Sequence, residues 1–78
     1  MAPRASSHDP KAEFGRRVRR RRGELGLTLE QLAERAGMHW TYVGSVERGE
    51  RNISLINIVR LARALAIGPE ELVRGLRP

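Results

Sequence analysis

Two short helices joined by a tight turn are predicted between Gly26 and Gly49, and this stretch constrains the fold more than any other. Thr28 is placed to cap the first helix, because Gln31 follows three residues later in the spacing of a capping box. Gly37 is placed to end this helix, since glycine readily adopts the left-handed conformation found after a helix C-terminus. The apolar side of the helix consists of Leu29, Leu32, Ala33 and Ala36. The pattern therefore predicts an amphipathic helix with a defined start and end.

A second helix is predicted to begin at His39, soon after the first one ends, and to stop at Gly49. Val43 and Val46 lie at positions i and i+3 of this helix and so share one face. Two helices joined by a short turn that contains glycine are typical of a helix-turn-helix motif. The chain carries 15 Lys and Arg against 9 Asp and Glu, a net charge of +6, which favours binding to nucleic acid or an anionic membrane.

A disordered tail and one long helix are predicted before the motif. Residues 1–9 show no periodicity, and Arg4 within them is interpreted as solvated, with a minor-groove contact as the alternative. Asp9 can cap a helix that has Pro10 at its first position, and this helix should run to about Leu25. Its thin apolar stripe consists of Phe14, Val18 and Leu25.

The remaining surface of this first helix is strongly basic. The arginines that form it are Arg16, Arg17, Arg19, Arg20, Arg21 and Arg22. Neighbouring like charges repel one another, so the helix must be held by packing rather than by its own charges. A solvated face is the favoured interpretation of most of the run, and a localisation signal or the steering of a polyanion are the alternatives.

Ser54 can cap the first of two further helices that are predicted after the motif. The apolar side of this fourth helix consists of Leu55, Ile58, Val59, Ala62 and Leu65. Gly68 and Pro69 then interrupt the chain before a short fifth helix. The apolar residues of that helix are Leu72, Val73 and Leu76. Because no segment alternates with a period of two, residues 10–78 are predicted to form one all-α domain of five helices.

The residue types needed for catalysis, redox chemistry or metal binding are too few or badly placed. The chain has no cysteine, and its only histidines, His8 and His39, lack a third ligand. Glu70 and Glu71 are adjacent and face different directions on a helix, which argues against a carboxylate pair. Neither enzyme activity nor a metal or cofactor is therefore predicted. Without a signal-like or membrane-spanning apolar run, a cytoplasmic location is expected.

The segments LEQLAERAGMHWTYVGSVERG (29–49) and NISLINIVRLARALAI (52–67) resemble the phage-repressor-like helix-turn-helix family, also called the Xre or Cro family. The likeness rests on Leu-Ala in the first motif helix, Ala-Gly at the turn, Glu-Arg-Gly after it and the amphipathic helix that follows. Residues 39–43 and 51–55 look most like the controller proteins of restriction–modification systems. The resemblance implies a five-helix lambda-repressor-like fold whose third helix lies in the major groove of double-stranded DNA.

The same resemblance implies which residues contact DNA. The residues expected to contact bases are Trp40, Thr41 and Ser45. Many relatives carry Gln or Arg in place of Trp40, whose indole can pack on thymine methyls or the sugar backbone, with a partly buried ring as the alternative. The residues expected to contact phosphates are His39, Arg48, Arg51 and Asn52. Relatives often carry a phosphate-binding Gln where this chain has Leu29, so the Thr28 hydroxyl and the helix N-terminus are the expected substitutes. For His39, a helix-capping role is the alternative.

Two further expectations concern the framework of the domain. Arg22 matches the family position that pairs with an acidic residue at Glu47, so an ion pair between these two side chains is expected. A short chain without disulfides often relies on oligomerisation, which makes a homodimer plausible. The residues expected at the dimer interface are Ile56, Leu72, Val73 and Leu76.

The function implied is that of a sequence-specific transcription regulator that binds a near-palindromic operator as a homodimer. It would repress by covering a promoter or activate through RNA polymerase, with control of its own gene as one role. The first alternative is an antitoxin-type module that binds DNA but mainly neutralises a protein partner. A cationic peptide at a membrane surface ranks last, because the first helix offers only three apolar residues opposite its arginines.

Overall fold

A computed structural model of the protein describes residues 9–78, which form an all-helical domain. The helices are α1 (Pro10–Glu24), α2 (Leu29–Ala36), α3 (Trp40–Glu47), α4 (Leu55–Ala64) and α5 (Glu70–Val73). The predicted all-α fold with five helices is therefore confirmed for the described range. Arg4 and the rest of the predicted tail up to residue 8 lie outside the described residues, and Asp9 belongs to the start of α1.

The predicted N-cap residues form the expected hydrogen bonds at the starts of α1, α2 and α4. The Asp9 carboxylate accepts a hydrogen bond from the backbone N–H of Lys11 at 2.9 Å. The Thr28 hydroxyl accepts from the N–H of Gln31, whose side chain accepts in return from the N–H of Thr28, so the capping box is complete. Ser54 caps α4 through the N–H of Asn57 in the same way. These bonds satisfy N–H groups that the first turn of a helix leaves without partners.

The core lies where α1, α2, α3 and α4 meet, and α5 closes it. Val43 and Val46 are fully buried, as their spacing on α3 predicts. The other buried apolar residues are Phe14, Val18, Leu32, Ala33, Ala36, Leu61, Ala62, Ala64, Leu65 and Leu72. Within the described part of the chain, no helix has the length and apolar character needed to cross a membrane.

The predicted core side of α4 is wrong at two positions. Leu55 is 73% exposed and Val59 is 45% exposed, whereas Leu61, which was not predicted, is completely buried. The buried residues of α4 and its C-cap cover a narrower arc than all the apolar residues of the helix. They are Leu61, Ala62, Ala64 and Leu65, with Ile58 partly buried beside them. Leu55 and Val59 lie beyond the edge of that arc, so α4 presents apolar side chains to solvent.

Helix α1 crosses the C-terminal end of α3 at very short distance. A Cβ atom added to Gly15 would collide with the backbone carbonyls of Val46 and Glu47. A Cβ atom added to Gly49, whose φ is 78°, would also come too close to the backbone of Ala12, although by less. Only a residue without a side chain fits at either point, so these two glycines allow α1 and α3 to approach.

Candidate nucleic-acid interface

The N-terminal end of α3 is an exposed surface built from three consecutive residues. His39 caps the helix, and its Nδ1 accepts a hydrogen bond from the backbone N–H of Thr41 at 3.2 Å. Its ring stacks on the indole of Trp40, with 5.9 Å between ring centroids and 25° between planes. Trp40 is 49% exposed and so is not a core residue. The two rings form a flat apolar surface at the end of the helix that is expected to enter the major groove.

The Thr41 side chain lies beside this pair of rings and is exposed as well. Its Oγ1 is 2.7 Å from Nδ1 of His39. With the ring proton on Nε2, Nδ1 accepts from both the N–H and the hydroxyl of Thr41. The hydroxyl oxygen and the methyl group of Thr41 then remain available to base edges, and Nε2–H of His39 remains available to a phosphate.

The structure argues against the prediction that Ser45 contacts a base. Ser45 is only 5% exposed, and its hydroxyl donates to the backbone carbonyl of Tyr42 at 2.7 Å. The same oxygen accepts a hydrogen bond from Nε of Arg51 at 3.0 Å. The fold of the α3–α4 loop brings Arg51 back onto α3, a tertiary contact that helix periodicity does not reveal.

Arg51 and Asn52 are exposed in the loop that follows α3, as expected for phosphate contacts. The guanidinium of Arg51 lies over the ring of Tyr42, 5.6 Å from its centroid, within the range of a cation–π contact. Nε of Arg51 bonds to Ser45, which leaves both terminal nitrogens of the fork for a phosphate. The loop therefore places the guanidinium of Arg51 beside α3, held by contacts with Ser45 and Tyr42.

Arg48 is exposed at the end of α3 and pairs with a neighbouring acid. Its Nε and Nη2 donate to the Glu50 carboxylate at 3.0 and 3.3 Å. This hydrogen bonding lowers the pKa of Glu50 and raises the pKa of Arg48, so both groups stay charged. A phosphate that binds Arg48 must compete with Glu50, an opposing charge that was not part of the predicted site.

Thr28 lies at the N-terminus of α2, the second helix end that is exposed beside the motif. Its hydroxyl oxygen accepts from the N–H of Gln31 at 3.1 Å, so the hydroxyl proton remains free to be donated. A helix N-terminus carries partial positive charge and favours an anion. The predicted phosphate contact at Thr28 is thus chemically compatible with its capping role.

The predicted ion pair between Arg22 and Glu47 is present and is largely buried. Nε and Nη2 of Arg22 donate to the two oxygens of Glu47 at 2.7 and 2.9 Å, a bidentate pair. The side chains are only 19% and 7% exposed. Nη1 of Arg22 also donates to the carbonyl of Leu27 at 3.0 Å, and hydrogen bonding to Glu47 raises the Arg22 pKa. One guanidinium thus connects α1, the α1–α2 loop and α3.

The arginine run of α1 is more than the solvated face that its sequence suggests. Arg16 and Arg17 both bond to Glu13, and Arg21 donates to the carbonyl of Leu65 at 3.0 Å. The bonds to Glu13 lie within α1, whereas those of Arg21 and Arg22 connect α1 to other parts of the domain. Arg16, Arg19 and Arg20 are exposed, so the solvated interpretation fits those positions.

The residues predicted for the dimer interface divide into two groups. Ile56 is 62% and Val73 is 38% exposed, whereas Leu76 packs partly against the core. Leu72 is completely buried, so its assignment to the interface is wrong. A single turn of helix has too few residues for periodicity to distinguish the core side of α5 from its outer side. Among residues 9–78, no group of three or more His, Cys, Asp or Glu side chains could hold a metal ion.

A short turn between α2 and α3, an exposed N-terminus of α3 and a basic loop after it define a helix-turn-helix DNA-binding domain. The helix-turn-helix family model HTH_3 matches residues 18–72. The chain therefore belongs to this helix-turn-helix family, as its motif predicts.

The relatives of this chain include regulators of restriction–modification systems. Control protein C.SmaI from Serratia marcescens is 49% identical over 71 residues, which cover 88% of this chain and 84% of the relative. The crystal structure of the restriction–modification controller protein C.AhdI from Aeromonas hydrophila has 52% sequence identity and a TM-score of 0.78, covering 80% of this chain and 94% of that chain. The predicted similarity to controller proteins is confirmed.

A phage repressor bound to DNA is also similar in structure. The P22 c2 repressor in complex with a synthetic operator has 29% sequence identity and a TM-score of 0.74, covering 80% of this chain and 94% of that chain. The lambda-repressor-like fold that the sequence predicts is therefore confirmed.

Proposed function

We propose that the protein is a sequence-specific transcription regulator of the restriction–modification controller type, which binds a near-palindromic operator as a homodimer. The observation that carries the proposal is the exposed N-terminal end of α3, where His39, Trp40 and Thr41 stand clear of the core. A helix that is fixed at its other end by the pair of Arg22 and Glu47 can present these side chains to the major groove.

In this proposal Trp40 and Thr41 contact bases, and the surrounding polar groups contact phosphates. Thr41 offers a hydroxyl and a methyl group, and Trp40 offers an apolar face suited to thymine methyls or sugars. The phosphate contacts are Thr28, His39, Arg48, Arg51 and Asn52, since all of them are exposed around α3. Two base-contacting side chains supply little direct discrimination, so DNA shape and half-site spacing should contribute.

The proposed dimer surface is the outward side of α4 together with α5, and we define it as Leu55, Ile56, Val59 and Val73. Of the large hydrophobic residues exposed within the described range, only Trp40 lies outside this surface. Exposed apolar side chains that concentrate in one place mark protein contacts, and a two-fold axis lets one such surface serve both subunits. Leu76 lies at its edge.

The dimer is tested by light scattering or sedimentation at micromolar concentration. We expect Ile56→Arg to shift the protein to a monomer, because it places a charge inside a self-complementary apolar contact. Gly23→Arg is the matched control, since Gly23 is exposed and a Cβ there meets nothing within 4 Å. If both variants keep the mass of the parent, the interface lies elsewhere.

DNA binding is tested by footprinting on the DNA that flanks the gene of the protein, followed by a salt series on the protected segment and a scrambled copy. We expect two protected half-sites about one helical turn, ~34 Å, apart and a preference for the protected sequence at every salt concentration. Equal affinity for both sequences that depends only on salt would reduce the function to non-specific polyanion binding.

The mode of regulation follows from where the operator lies. A dimer that covers a promoter represses it, and one beside the promoter activates it through contact with RNA polymerase. A regulator of this kind acts on cytoplasmic DNA and carries out no catalysis, so the proposal requires neither a cofactor nor a metal.

A further inference from the structure

We infer that Ser45 is a positioning residue that orders Arg51 for the DNA backbone before DNA is bound. The inference rests on the proposed function and deepens it, because it assigns a role to a buried hydroxyl on the DNA-contacting helix itself. Ser45 then acts through Arg51 and has no contact of its own with DNA.

The geometry gives the Ser45 hydroxyl one orientation. It donates to the carbonyl of Tyr42 at 2.7 Å, so its hydrogen points along α3 and a lone pair faces Arg51. Arg51 fills that position with Nε at 3.0 Å. Because Ser45 is buried while Arg51 is exposed, the fixed partner orients the mobile one.

Tyr42 supplies the second contact that orders Arg51. Tyr42 and Ser45 are three residues apart on α3, so they lie on the same side of the helix. The Arg51 guanidinium lies 5.6 Å from the centroid of the Tyr42 ring, while Nε is bonded to Ser45. The side chain is thus held at two points, and its terminal nitrogens stay available.

Ordering a long side chain when a complex forms weakens binding, because rotamer freedom is lost at that moment. An Arg51 that is already held loses less of this freedom when it meets a phosphate. The benefit does not depend on sequence, since phosphates are present at every step of the duplex. Ser45 is therefore expected to raise affinity for all DNA and to leave base preference unchanged.

The test is a double-mutant cycle measured by DNA binding. Ser45→Ala should lower affinity by about threefold to tenfold, the range expected for ordering one long side chain, and equally for operator and scrambled DNA. In an Arg51→Ala background, Ser45→Ala should cause no further loss. In an Arg63→Ala background, which removes an exposed arginine of α4, the full Ser45→Ala effect should remain.

The variant should fold normally, because alanine is the better helix former and the Tyr42 carbonyl keeps its backbone helix bond. A readout in the free protein tests the ordering itself. The Nε–H proton of Arg51 should give a protected NMR signal in the parent that exchanges faster in Ser45→Ala.

Several outcomes would overturn the inference. They are an unchanged affinity, a change in base preference, an equal loss in the Arg51→Ala background, and an Nε–H signal that does not respond to Ser45→Ala. If the parent binds its footprinted site while Ser45→Ala has no effect, only the role of Ser45 is lost. If the parent itself shows no preference for that site, the proposed function fails, and the NMR readout still reports on the ordering of Arg51.

Discussion

The two ends of α3 differ in almost every physical respect. At the C-terminal end, Gly15 lets the α1 backbone reach the last carbonyls of α3, and Glu47 is held by a bidentate arginine. At the N-terminal end, the side chain of His39 bonds to the N–H and the hydroxyl of Thr41, and Trp40 stacks on His39. The C-terminal end is fixed by packing and by a buried ion pair, whereas the side chains at the N-terminal end are exposed to solvent.

This difference explains how a small domain combines a rigid scaffold with a variable contact surface. Side chains that discriminate between bases must be held within a fraction of an ångström, but they must also keep groups that are free to contact bases when DNA arrives. Fixing an eight-residue helix at its far end meets both demands, since the backbone at the near end is placed by the helix itself. Substitutions at the two ends should therefore separate stability from recognition.

The largest expected effect is at the crossing of α1 and α3. Gly15→Ala should destabilise the domain by about 3 kcal/mol or more, because its Cβ would meet backbone atoms that cannot move aside. Gly23→Ala in the same helix is the control, and it should stabilise by roughly 0.5–1 kcal/mol because nothing lies near its Cβ. Urea denaturation measures both, and similar values for the two variants would contradict the close approach.

Removing the acid at the C-terminal end should have the next largest effect. Glu47→Ala leaves the cation of Arg22 partly buried without an anionic partner, and we expect a loss of about 3 kcal/mol in the free energy of unfolding. Glu71→Ala removes an exposed acid that pairs with Arg74 and should cost less than about 0.5 kcal/mol. An equally small effect at Glu47 would mean that the buried pair behaves like one on the surface.

At the N-terminal end of α3, substitutions should change the recognition of DNA and leave the stability of the domain nearly unchanged. Replacing Trp40 and Thr41 together by Ala should lower the preference for operator over scrambled DNA by about tenfold, roughly 1.4 kcal/mol. The midpoint of unfolding should move little, because both side chains are exposed. Competition binding and denaturation on one sample give both values. A retained preference would rule out these two residues as base contacts.

Glu50→Gln should have a smaller effect, and in the direction of tighter binding. The change frees Arg48 from a competing carboxylate and removes a negative charge near the phosphates. We expect affinity for any DNA to rise by about twofold to threefold at low salt, with the gain fading as salt screens the charges. Glu71→Gln alters the net charge equally, so the same gain in that variant would show a general effect of charge.

The smallest effect is expected on the outer face of α1. Hydrogen bonding from Arg16, and then from Arg17, lowers the pKa of Glu13. Because the pKa is lower in the folded state, the stabilisation is present above the unfolded pKa and is lost as pH falls through the folded one. Glu13→Gln should cost only a few tenths of a kcal/mol at pH 7, roughly what solvent-screened pairs contribute, and nothing in strong acid. Urea denaturation of the parent and of Glu13→Gln at pH 7 and in strong acid measures the difference in the free energy of unfolding.

Local signals in the sequence were sufficient to predict the helices and much of the site. The caps at Asp9, Thr28 and Ser54 and the turn at Gly37 depend on residues close in the chain, and all are present. The family resemblance added the pair of Arg22 and Glu47, which no local pattern would join. The resemblance also placed Trp40 and Thr41 at the start of α3, and both are exposed there.

The errors have a common cause. Periodicity shows which residues share a face of a helix, but tertiary packing determines which of those faces are buried. Val59 was predicted to be buried because it is apolar and near the core row of α4, but the neighbouring helices cover a narrower arc. Leu72 was predicted to be at the surface, and Ser45 at a base, although packing buries both. The role of Gly15 was not foreseen, since a glycine inside a helix carries no sign of the backbone that will approach it.

The three hydrogen bonds of the Arg22 guanidinium restrict how the domain can open locally. Because the same guanidinium bonds to Leu27 and Glu47, α3 cannot swing away from α1 without leaving a carboxylate and a cation unpaired. Local opening of α3 is thereby disfavoured, and its C-terminal amides should exchange with solvent only through global unfolding. Thermal stress should then abolish operator binding in one cooperative step.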